Sequence, residues 1–128
     1  MSEMSNYLEN ALINGTLRGT TFNAPASVYL ALYLDDPTDA DTGTEVSGGS
    51  YARQSITFGA PSNGLSANTL AIEFPQATAP WGTITYIGIR DALTGGNLLY
   101  HTALDAAKEI GTSDIFKITA GNLSVALS

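Results

Sequence analysis

Cysteine is absent from the 128 residues, so neither a disulfide framework nor a thiolate metal site can hold the chain together, and stability has to come from packing or from partners. Basic residues are scarce. Five Lys and Arg stand against twelve Asp and Glu, a net charge of -7, and no stretch gathers the bases. Such a surface repels a phosphate backbone, which argues against nucleic acid as a partner. No apolar run approaches the roughly 20 residues that cross a bilayer, and the opening MSEMSNYLENALING has neither the cationic front nor the apolar block of a signal peptide. The expectation is a soluble protein made in the cytoplasm, with no membrane partner.

Chemistry-bearing motifs are equally thin. His101 is the single histidine, and no Gly-x-Ser-x-Gly elbow or comparable nucleophile accompanies it, so it reads as a sheet histidine and the protein as no enzyme. Gly95-Gly96 lacks the lysine and following helix of a phosphate loop. The run Asp39-Ala40-Asp41-Thr42-Gly43-Thr44-Glu45 echoes a calcium loop without its ligand order or helical context, so the segment from Asp35 to Ser50 is expected to be a solvated acidic loop. No cofactor and no metal site follow from these residues.

What is present is β-forming sequence. Hydrophobic residues make up 44% of the chain, and thirteen glycines punctuate it. Residues 81 to 104 read as a hairpin: Thr83, Thr85, Ile87 and Ile89 alternate with Ile84, Tyr86, Gly88 and Arg90, and Leu98, Tyr100, Thr102 and Leu104 alternate with Leu99, His101 and Ala103. The link 91 to 97 carries Gly95 and Gly96, one of which should take positive φ. Val28 to Leu34 is apolar on both faces, so it is either central or meets a partner. Tyr51 to Phe58 and Asn68 to Phe74 alternate as well, the latter with Leu70, Ile72 and Phe74 inward. Asp105 to Ser113 reads as a polar link, and 114 to 119 and 122 to 127 as closing strands around Ala120-Gly121. At the start, Asn6 caps a short amphipathic helix of about residues 6–14, with Glu9 three positions on and a stop at Asn14-Gly15.

These elements predict a single domain over residues 1–128, an all-β antiparallel sandwich of immunoglobulin-like or jelly-roll type with one N-terminal helix, a closed barrel being the alternative. The surplus apolar surface predicts assembly. Interface candidates are Tyr7, Leu8 and Leu12 of the helix, Tyr29 and Tyr33 of the two-faced strand, and Trp81, with self-association expected.

The chain resembles the small virion structural proteins of tailed bacteriophages, often labelled tail-fibre or minor structural proteins. The resemblance rests on Asn6-Tyr7-Leu8-Glu9-Asn10 with Arg18-Gly19-Thr20, on Val28 to Tyr33 followed by Asp36-Pro37-Thr38-Asp39, on Glu45 to Gln54, and on Trp81 to Asp91. It implies a non-enzymatic particle component, located in the virion, whose partners are the major capsid protein or tail components. With no long repetitive stalk in the sequence, the favoured reading is a capsid decoration or cement protein. The alternatives are a tail-fibre, baseplate or tail-adaptor module and, further off, a sugar-binding module.

Overall fold

The hairpin anticipated at 81 to 104 is the centre of the molecule. The computed structural model describes residues 3–127. In chain order its elements are β1 (Glu3–Met4), α1 (Asn6–Leu17), β2 (Val28–Tyr33), β3 (Gln54–Ile56), β4 (Leu65–Ala67), β5 (Ile72–Glu73), β6 (Gly82–Arg90), β7 (Leu98–Ile110), β8 (Lys117–Ile118) and β9 (Ser124–Ala126). A five-stranded antiparallel sheet has the order β1-β7-β6-β2-β3, and two small sheets pair β4 with β9 and β5 with β8. The small sheets and their flanks bring Ile72, Phe74, Phe116 and Leu123 onto Leu30, Leu32, Ile84, Ile87 and Ile89 of the large one. The fold is an all-β sandwich with one short helix.

Two register irregularities in the hairpin decide which side chains face the core. Ile84 pairs with Lys108 and Tyr86 with Ala103, so Thr85 is opposed by the four residues 104 to 107. A bulge of this kind resets the alternation. Ile84 therefore joins Ile87 and Ile89 in the core, where strict alternation had set it on the opposite face. The same pairing extends β7 to Ile110 through the segment expected to be a link. Ile110 is buried, and its carbonyl accepts from the Trp81 backbone N at 2.9 Å. The second irregularity lies between Ile89 opposite Tyr100 and Arg90 opposite Leu98. Leu99 is left without a partner, so Leu98 and His101, expected on opposite faces, both share the face of Gly88 and Arg90.

That second face is covered by α1 and by the loop from β2 to β3. Ser5, buried beside β7, caps α1: its Oγ accepts from the Leu8 N at 3.2 Å and donates to the Leu98 carbonyl, while its own backbone N donates to the Leu99 carbonyl at 2.9 Å. The cap is thus Ser5 and not Asn6, whose N–H is turned to the Asp39 carbonyl at 2.8 Å. The helix runs through Gly15, a glycine there costing only about 1 kcal/mol, and ends where the Arg18 and Thr20 amides both return to the Asn14 carbonyl. Strand β2 is consequently buried on both sides: Leu30 and Leu32 face the core, and Ala31 and Tyr33 are buried on the opposite face, Tyr33 bonded to Arg90. Its two-sided apolarity is met within the chain, which removes the strand as a reason for self-association.

Close approach is the role of Gly88. A Cβ there would sit 2.8 Å from Leu98 Cδ1 and 2.8 Å from Tyr33 Cε2, so the second face packs only because this position has no side chain. In the hairpin turn both Gly95 and Gly96 take positive φ, +61° and +71°. Asp91 closes the turn by accepting from the Asn97 N and Nδ2 at 2.7 and 3.0 Å.

Elsewhere the expected strands are shorter. Only Gln54–Ile56 of 51 to 58 enters the ladder, and 68 to 71 breaks the run between β4 and β5. Leu70, expected inward, is 64% exposed. The break is organised by buried Asn68, whose Nδ2 donates to the Leu70 and Thr119 carbonyls and whose Oδ1 accepts from the Leu123 N. The closing strands pair with β4 and β5 and not with each other.

Candidate functional site

At one end of the large sheet, two arginines tie the 35 to 50 loop and the 91 to 97 turn into one unit. Arg90, at the end of β6, has its guanidinium nine-tenths buried. It donates to both oxygens of Asp41 at 2.8 Å, to the Tyr33 hydroxyl at 2.9 Å, and to the Gly95 and Gly96 carbonyls at 3.3 and 3.0 Å. Arg53, just before β3, grips Glu45 with Nε at 2.8 Å and Nη2 at 2.7 Å, and gives Nη1 to the Ala92 and Gly95 carbonyls at 2.9 Å each. Planar forks meeting carboxylates in this bidentate manner are the stronger kind of ion pair. The acidic loop is therefore pinned at Asp41 and Glu45, while Asp35, Asp36, Asp39 and Asp41 stay exposed, so it is solvated as expected but held in place.

Tyr51 links this cluster to the core. Its hydroxyl donates to Glu45 Oε2 at 2.5 Å and accepts from the Leu32 backbone N at 3.1 Å, completing the edge of β2 beyond the last pair with β3. Its ring stacks on Phe74 at 5.9 Å and meets Trp81 edge-on at 5.4 Å. Burial pushes the Tyr51 hydroxyl upward, and its bond to Glu45 adds to that. Burial likewise raises Tyr33 and Tyr100. Burial alone would raise Glu45 too, but the hydrogen bonds from Arg53 and Tyr51 and the charges of Arg53 and Arg90 outweigh it and hold the carboxyl below its usual range. For Arg90, burial works against the charge, and the bonds to Asp41 and Tyr33 overcome it.

The pH dependence of stability follows from these directions. An unfolded Glu titrates near about 4.3, and the folded Glu45 lies lower. Its contribution is complete above that pH and is lost as pH falls through the folded value. The raised tyrosines contribute fully below about pH 10 and lose that contribution as pH rises through their folded values. Melting temperature measured across pH should fall at both ends, and Glu45→Gln should flatten the acid limb. An acid limb unchanged in that variant would mean Glu45 is not the group lost.

The calcium-loop echo does not become a calcium loop. Asp41 is taken by Arg90, Asp35 accepts from the Thr44 N at 2.6 Å, Asp36 accepts from the Thr38 N at 2.8 Å, and Asp39 turns to His101. His101 sits on β7 with its side chain 3% exposed. Its Nε2 lies 2.8 Å from Asp39 Oδ1 and 4.0 Å from Glu3 Oε2, and its Nδ1 lies 3.9 Å from Asp36 Oδ1. Glu3 arrives there because β1 pairs Glu3 directly opposite His101. That juxtaposition has no signal in the sequence, since 98 residues separate the two.

Of the interface candidates, Tyr7 is exposed and Leu12 and Tyr29 are half-buried. Leu8, Tyr33 and Trp81 are buried in the chain's own interior, so they hold the fold together and are not surface anchors. Leu8 turns onto the sheet because Ser5 sets the helix entry, Tyr33 is held by Arg90, and Trp81 lies in the aromatic core. The apolar residues that do reach solvent on α1 are Tyr7, Ile13 and Leu17. On the other side, Leu65, Leu70 and Leu127 are exposed where the small strands are too short to bury them.

The described residues form an all-β sandwich whose 35 to 50 loop and 91 to 97 turn are stapled together by two arginines at one end of the large sheet. The profile of one family, described as podophage GP4 fiber I protein gp80, matches residues 3–126. The chain belongs to this family, and it is a structural protein of a tailed-phage virion. A comparison with curated proteins gave no match. The family is a fibre family, so the tail reading fits better than the capsid cement favoured from the sequence.

Proposed function

We propose that this protein is a tail-fibre component that serves as a non-enzymatic structural module and binds other virion proteins. The observation that carries the reading is the match to a fibre family over nearly the whole chain. The structure supports it physically. The arginine staples hold two long loops rigid at one end of the sheet, which is what a binding surface on a particle needs if it is to engage without first losing loop entropy. The exposed apolar residues of α1 offer a docking surface, and among the described residues His101 bonds the Asp39 carboxylate.

Location and copy number test the proposal together. Quantitative mass spectrometry of purified particles should give far fewer copies of this chain than of the major shell protein, and antibody labelling should mark the tail. Particles assembled without it should rupture at an unchanged temperature on heating. Copy number comparable to the shell protein, with early rupture in its absence, would return the protein to the capsid.

A further inference from the structure

We propose that Glu3, Asp39 and His101 form a site for one divalent transition-metal ion of the zinc type, stapling β1 and the 35 to 50 loop onto β7. The three ligand atoms, one from each residue, lie within 4.8 Å of one another. They come from three separate segments, each held by its own backbone bonds: Glu3 through the β1–β7 pairing, Asp39 through its carbonyl's bond to the Asn6 N at 2.8 Å, and His101 within the central hairpin. The imidazole is almost wholly buried, with Nε2 turned toward both carboxylates, so its direction is fixed by packing. The two carboxylates are exposed, 71% for Glu3 and 47% for Asp39, and can adjust.

The carboxylates must adjust to bind, the Glu3 and Asp39 oxygens, which lie within 4.8 Å of each other, included. Ligands bound tetrahedrally at zinc-like bond lengths of about 2.0–2.2 Å stand about 3.3 Å apart. Asp39, at 2.8 Å from Nε2, must open slightly, and Glu3, at 4.0 Å, must close by several tenths of an ångström. An open recess of about 460 Å³ lined by Glu3, Asp36, His101 and Asp105 gives access and room for water as a further ligand.

The surroundings select a cation and a ring orientation. A metal on Nε2 leaves the ring proton on Nδ1, facing Asp36 Oδ1 at 3.9 Å. Metal-bound histidines commonly direct that N–H at a carboxylate, directly or through water. One imidazole with two carboxylates suits zinc and its first-row neighbours, whereas calcium prefers six to eight oxygens. This site is independent of the fibre assignment and of the arginine cluster.

The test uses untagged, chelator-treated full-length protein. Titration with Zn2+ followed by calorimetry should saturate at one ion per chain, and Co2+ should give the visible absorption of a low-coordinate nitrogen and oxygen site. Glu3→Gln and Asp39→Asn, both on exposed side chains, should stay folded by circular dichroism and each bind Zn2+ at least tenfold more weakly. At one Zn2+ concentration, zinc should raise the melting temperature of the parent protein more than that of either variant. Absence of saturable binding, affinity unchanged in both variants, or a His101 imidazole NMR signal unaffected by Zn2+ would overturn the site.

Discussion

Trp81→Ala is expected to lower the unfolding free energy by about 4 kcal/mol, the scale of removing a large buried aromatic ring. The indole is 4% exposed, meets Tyr51 and Phe74 edge-on at 5.4 and 6.2 Å, and donates Nε1–H to the Gly49 carbonyl at 2.9 Å. Phe74 in turn meets Phe116 edge-on at 5.6 Å, so the cavity opens at the junction of the large sheet with the small ones. For a domain of this size the melting temperature should drop by about 10–15 °C. Trp81→Phe separates the two contributions. It keeps most of the packing and removes only the indole bond, since the Gly49 carbonyl still accepts from the Thr78 N at 3.0 Å, a loss of about 1 kcal/mol. Chemical denaturation of both variants measures this, and a Trp81→Ala protein within 1 kcal/mol of the parent would show that the aromatic cluster is not what joins the sheets.

Arg90→Met should cost about 3 kcal/mol, because removing one partner of a buried pair strands what remains. The Asp41 carboxylate, the Tyr33 hydroxyl and the Gly95 and Gly96 carbonyls would all lose a donor at once. Asp41 is a third exposed and regains some water, which keeps the figure at the lower end of the range for buried pairs. Arg90→Lys should recover little, since a single ammonium cannot span the Asp41 fork and both carbonyls. Adding Asp41→Asn to Arg90→Met should cost less than the two single changes summed, as for side chains in direct contact. Hydrogen exchange should localise the damage to the 35 to 50 loop and the 91 to 97 turn. Strict additivity, or a neutral Arg90→Met, would mean the loops are held by their backbone bonds alone.

Much of this architecture can be read along the chain because it depends on neighbours in sequence. Alternating β-branched and aromatic residues announce the hairpin, Gly95-Gly96 announces its turn, and the apolar stripe announces α1, although its cap is Ser5 and not the expected Asn6. Each is a local energetic preference that survives whatever packs around it. The absence of cysteine and the shortage of bases likewise bound the chemistry before any fold is known.

The bulges, the covers and the side-chain partners were decided only in three dimensions. Nothing near Thr85 signals that residues 104 to 107 will oppose it, yet that mismatch carries Ile84 into the core and prolongs β7 through a polar segment that looks like a link. Likewise Asp39, Asp41 and Glu45 look like one solvated cluster until the register delivers His101, Arg90 and Arg53 beneath them, each to a different carboxylate. The apolar strand Val28–Tyr33 announced two faces needing cover, and only the folded chain showed that both covers are its own. A charge or an apolar face has a meaning set by what lies across from it, and contacts between residues tens of positions apart depend on strand register, which local preference does not encode.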